Sequence, residues 1–134
     1  MEFKMKKDVG FYADLGFGRL DVAGDEEYGF RPYQLLVASV AVCSGGILRK
    51  ILNKMRQEFS DIEIKTDVER NSEEADRVEK ITVHFRITGT NLSESKLERA
   101  MELTRKNCSM VQSVIGSIEV HETFEIIPEQ PASK

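Results

Sequence analysis

Two cysteines, Cys43 and Cys108, are the residues of this 134-residue chain best suited to chemistry. A thiolate is strongly nucleophilic at neutral pH and is also a metal ligand. Three readings compete for such a pair: inert core residues, redox partners, or a structural disulfide. The N-terminal Met1-Glu2-Phe3-Lys4-Met5-Lys6-Lys7 is basic with no apolar run behind it, so no secretory signal is expected. In a reducing cytoplasm the structural disulfide is the least favoured of the three. Cys43 lies in the most apolar segment, where free cysteine commonly packs as a small hydrophobe. Cys108 follows Asn107, where a second helical segment either ends or restarts. A helix starting there would favour a thiolate through its N–H groups and macrodipole, and a continuing helix would not. The sequence leaves both open.

Other constellations are weaker. His84 falls between Val83 and Phe85, and His121 is out of phase with Ile118 and Val120, so both are expected on exposed faces. Neither has a partner at zinc-type spacing, and no metal site is expected. No cofactor is expected either, because Gly16-Phe17-Gly18 is too short for a phosphate-cradling loop. Ser39, Ser44 and Ser109 have no nearby histidine in sequence to form a triad. The net charge of -4 comes from interleaved acids and bases, with no basic stripe for nucleic acid. The acidic run Glu73-Glu74-Ala75-Asp76 reads as a solvated turn. Leu35 to Cys43, broken by Ser39, is too short to cross a bilayer, so a soluble, cytoplasmic protein without a membrane partner is expected.

The elements that must position the cysteines can be read from periodicity. Alternation at Phe3/Met5, Phe11/Ala13 and Leu20/Val22 predicts short N-terminal strands, punctuated by Gly10, Gly16, Gly18 and Gly24. Residues 24–30 read as a loop. Pro32 suits a first helical turn, and helical spacing runs from there to about Phe59. Its first half, Leu35 to Cys43, is apolar nearly all round, which predicts burial on every side. The second half is amphipathic, with Ile47, Leu48, Ile51, Leu52, Met55 and Phe59 on one stripe. Gly45 and Gly46 inside this helix cost about 2 kcal/mol relative to alanines, so a kink, a close crossing or room for a ligand should offset them. Ile62-Ile64-Thr66-Val68 and Ile81-Val83-Phe85-Ile87 predict two strands around a polar turn. Asn91 or Ser93 caps a second helix carrying Leu97, Ala100, Met101, Leu103, Cys108 and Val111. Ile118, Val120, Phe124 and Ile126 mark a last strand. This order favours α+β over a doubly wound parallel sheet. A single domain over residues 1–128 and a flexible tail over 129–134 are expected.

Two segments carry a resemblance. Pro32-Tyr33-Gln34-Leu35-Leu36-Val37-Ala38-Ser39-Val40-Ala41-Val42-Cys43-Ser44 resembles the first cysteine helix of the OsmC/Ohr family, and Asn107-Cys108-Ser109-Met110-Val111 resembles its second cysteine motif. The separation of the cysteines and the elements between them are also similar, over nearly the whole chain. The resemblance implies antiparallel sheets wrapped around a long buried central helix in an intertwined homodimer. It further implies a thiol peroxidase acting on organic hydroperoxides or hydrogen peroxide. Cys43 would be peroxidatic, Cys108 resolving, and a dithiol or thiol-protein the reductant. Tyr33 stands where the family's peroxidases carry a glutamate, against the substrate side, and Ser109 stands where a proline usually follows the second cysteine. The activating arginine is either Arg19 or Arg31, approaching Cys43 within the chain or from the partner. The alternative is a non-catalytic dimer of the same fold that binds a small apolar ligand, with the cysteines kept for packing.

Overall fold

A computed structural model of the chain describes residues 1–129. The expected flexible tail lies outside the described residues from 130 onward. The chain forms two compact units, one of residues 1–38 and one from Ser39 onward, joined through a continuous helix.

The first unit is an antiparallel meander of β1 (Lys4–Lys6), β2 (Gly10–Asp14) and β3 (Arg19–Val22). Short connections favour this arrangement, because antiparallel neighbours need only a tight turn. Gly10 is required by closeness: a Cβ there would lie 2.5 Å from the Val22 carbonyl oxygen. Ala13 and Ala23 are buried, whereas Phe3, Phe11 and Phe30 stay exposed. An apolar groove of about 530 Å³ is lined by Phe3, Phe11, Leu20, Val22, Pro32 and Leu35.

Helix α1 (Pro32–Lys54) starts at the anticipated proline and stops short of Phe59. The cause is a Schellman closure built without glycine. The Gln57 N–H donates to the Leu52 carbonyl at 2.9 Å and the Arg56 N–H to the Asn53 carbonyl at 3.1 Å, with Arg56 at φ 57. At 23 residues α1 is by length and composition long enough to cross a membrane, which Leu35 to Cys43 alone is not. Its buried positions Val37, Val40, Ala41, Ser44, Leu48 and Leu52 form one helical stripe, the pattern of a core helix. Burial on every side is not what a single chain provides: Ala38 is exposed and Val42 is 66% exposed.

The second unit holds β4 (Asp61–Asn71), β5 (Arg77–Gly89), α2 (Glu94–Asn107), α3 (Ser109–Val114) and β6 (Glu119–Pro128). β5 is central, antiparallel to β4 and parallel to β6. The expected all-antiparallel sheets are therefore corrected to one antiparallel and one mixed sheet. The α2–α3 crossover returns the chain to the same end of the sheet, which makes β6 parallel to β5. Ile81, Val83, Phe85 and Ile87 are fully buried, as their period-2 spacing predicts. Gly45 faces this sheet. A Cβ there would come 2.6 Å from Ile64 Cδ1, so close approach of α1 offsets part of the glycine cost. Gln57, buried at the end of α1, accepts the Ser93 N–H at 2.8 Å, and the Ser93 hydroxyl accepts the Lys96 N–H at 3.4 Å as the α2 N-cap.

Candidate active site

Cys43 lies on α1, half-buried, and Cys108 is fully buried at the junction of α2 and α3. The helix does restart at Cys108. Its backbone is extended (φ -81, ψ 112), its N–H donates to the Thr104 carbonyl at 2.9 Å, and its carbonyl accepts the Gln112 N–H at 3.0 Å. The residue closes α2 and opens α3, and this turn brings its thiol near enough to that of Cys43 for each sulfur to shift the pKa of the other. Cys43 Sγ also lies 3.7 Å from the Ser109 hydroxyl oxygen.

N–H groups of the α3 start reach both cysteines, with opposite net results. The Met110 N–H lowers the Cys43 pKa below the ordinary thiol value. Burial opposes this, and the Cys108 thiol and the Ser109 hydroxyl and N–H add to it. Cys108 moves the opposite way: burial pushes its pKa up, and the neighbouring Cys43 sulfur adds to the rise against N–H groups of α3. The expectation that a restarted helix would favour a thiolate at Cys108 is thus reversed, because desolvation outweighs the N–H donors at a fully buried sulfur. Iodoacetamide at near-neutral pH should alkylate Cys43 well before Cys108. Peptide mapping at short times reads this, and equal labelling of both would contradict it.

Beneath Cys43 runs a polar link that the sequence reading missed. Ser44, fully buried, donates its hydroxyl to Glu122 Oε2 at 2.6 Å. The Glu122 carboxylate, only 5% exposed, also faces Arg105 Nη1 at 3.4 Å, and Arg105 donates to the Val120 carbonyl at 2.7 Å. This ties α1, beside the reactive sulfur, to β6 and α2. A signal was available: Glu122 falls in phase with Val120, Phe124 and Ile126, and a carboxylate on a core face needs partners.

The other expected site residues belong to the first unit. Arg19 stacks on Tyr12 with its guanidinium carbon 3.9 Å from the ring centroid, and pairs with Asp21 at 3.1 Å. Partial desolvation pulls the Asp21 carboxyl up, but hydrogen bonds and charge from Lys6 and Arg19 outweigh it and hold the pKa below the usual value. Arg31 lies over Tyr33 at 4.9 Å, so the uncharged side chain at the family's acidic position still has a cationic neighbour. His84 is half-buried rather than exposed, with Nδ1 2.6 Å from the Thr123 hydroxyl. His121 is exposed.

Against known proteins, the profile of the family described as OsmC-like protein matches residues 24–123, a span that contains both helix cysteine motifs. The chain belongs to the OsmC-like family. Protein YhfA of Escherichia coli K12, a curated relative, is 28% identical over 97 residues, 72% of each chain. A hypothetical protein of Aquifex aeolicus VF5 superposes with a TM-score of 0.85 at 26% identity, covering 96% of each chain. An organic hydroperoxide resistance protein OsmC of Legionella pneumophila gives 0.72 at 18% identity, over 92% of this chain and 95% of that one. This last likeness concerns the fold alone, and it makes the fold OsmC-like.

Proposed function

We propose that this OsmC-like protein is a two-cysteine thiol peroxidase for organic hydroperoxides or hydrogen peroxide. What carries the proposal is the juxtaposition of a half-buried Cys43, whose pKa is drawn below the ordinary thiol value, with a fully buried Cys108, whose pKa burial pushes up. The Cys43 thiolate attacks the outer peroxide oxygen. The O–O bond breaks, the alkoxide takes a proton and leaves as an alcohol, and the sulfur becomes a sulfenic acid. The Cys108 sulfur then displaces hydroxide from that sulfenic acid. Its own proton completes the water released, and a disulfide forms. A dithiol or thiol-protein supplies the two electrons and two protons that restore both thiols. The hydroperoxide resistance protein of Legionella pneumophila, which shares the fold, supports that substrate class. Arg19 or Arg31 would add positive charge, and Tyr33 would line the substrate side. Stopped-flow mixing with cumene hydroperoxide is expected to consume one peroxide per chain in a single turnover without reductant, and no consumption would refute the reading.

The working form we propose is a cytoplasmic homodimer. Val42 on α1 and Phe3, Phe11 and Phe30 in the first unit are large apolar side chains left in water by the single chain, an arrangement that favours covering by a second copy. Sedimentation equilibrium at micromolar protein should return a dimer, and a folded monomer would contradict it. A second reading, a non-catalytic dimer holding a small apolar ligand, is favoured by the groove of the first unit. It expects ligand binding with no change in the thiols.

A further inference from the structure

Ser109 is the first residue of α3, placed there by the extended backbone of Cys108. Its carbonyl is occupied by the Ser113 hydroxyl at 2.7 Å, while its own hydroxyl lies 3.7 Å from Cys43 Sγ. With Cys43 protonated, either atom of that contact can donate. Once the sulfur has lost its proton it can only accept, so the serine must donate. The contact is then charge-assisted and stronger than before, so it favours the thiolate over the thiol. We propose that Ser109 is a catalytic residue, its hydroxyl donating to the Cys43 sulfur and holding it as the thiolate that attacks peroxide.

This deepens the peroxidase reading and rests on it for the word catalytic. The residue type matters. Proline, the usual neighbour of the second family cysteine, has neither a hydroxyl nor an N–H, whereas serine offers both. The backbone N–H of Ser109 also reaches Cys43, and both groups lower its pKa. Activation of Cys43 in this chain therefore draws on donors from the α2–α3 junction, independently of an acidic residue at position 33.

The test compares the full-length protein with Ser109→Ala, Ser109→Thr and Ser109→Pro. The readouts are the pH midpoint of Cys43 alkylation, followed by peptide mapping, and the rate of cumene hydroperoxide consumption. Ser109→Ala should move the midpoint to higher pH and slow alkylation at neutral pH about ten- to a hundredfold, the loss expected for one hydrogen bond to a charged group. Ser109→Thr, which keeps the hydroxyl, should restore it. Ser109→Pro should shift the midpoint further, since the N–H is lost as well, and proline is tolerated in a first helical turn. An unchanged midpoint in Ser109→Ala overturns the role of Ser109, whatever the peroxide data show. If the midpoint moves but even the wild-type protein leaves cumene hydroperoxide untouched, the peroxidase reading fails while the action of Ser109 on the thiolate stands.

Discussion

Cys43→Ser should abolish hydroperoxide consumption, whereas Cys108→Ser should allow one turnover and then stall. A serine hydroxyl is a weak nucleophile unless a base activates it, and no histidine or carboxylate makes a hydrogen bond to Cys43 among the described residues. The expected fall in rate is about a thousandfold or more, the scale of removing a covalent nucleophile. Cys43 is half-buried, so the substitution should cost little stability. Cys108 is fully buried, and a hydroxyl in its place costs about 1–3 kcal/mol if left without a partner. The Cys108→Ser protein should still form a sulfenic acid on Cys43, trappable by a dimedone-type probe, and excess peroxide should carry it on to sulfinic acid. Equal rates in wild type and Cys43→Ser would move the chemistry elsewhere.

Phe85→Ala should be the most destabilising single truncation, at about 3–5 kcal/mol. Phe85 is fully buried on the central strand, paired in register with Ile64 on one side and Phe124 on the other. Its ring edge would lie 3.7 Å from a Cβ at Gly45, so it supports α1 two residues beyond Cys43. Domains of this size have about 5–15 kcal/mol in all, so the variant should lose about a fifth or more of its stability. Urea unfolding at fixed protein concentration reads the change, the concentration being held because dimerisation would add to apparent stability. A loss below about 1 kcal/mol would mean that the strand centre is not the core.

Much of this arrangement was legible in the sequence, because period-2 and helical spacing are direct consequences of burial. Ile81, Val83, Phe85 and Ile87 all fall on the core face, and Pro32 and Ser93 start their helices. The end of α1 was not legible, because Arg56 takes the left-handed position where a glycine would have marked the stop. The parallel pairing of β5 and β6 was hidden too, since strand direction depends on where the α2–α3 crossover returns the chain. At the site, the resemblance to the OsmC/Ohr motifs singled out both cysteines, but the sequence could not tell at which sulfur the α3 amides would outweigh burial. That depends on a turn at Cys108 that puts Ser109 and Met110 against the neighbouring helix.

The pairing of Cys43 with Cys108 is tested most directly by intact-mass measurement of the reduced protein after one equivalent of cumene hydroperoxide. A mass lower by the two thiol hydrogens, with both cysteines resistant to alkylation until a reductant is added, is the expected result. Unchanged mass with two free thiols after excess hydroperoxide would contradict the peroxidase and leave an OsmC-like fold serving some other end.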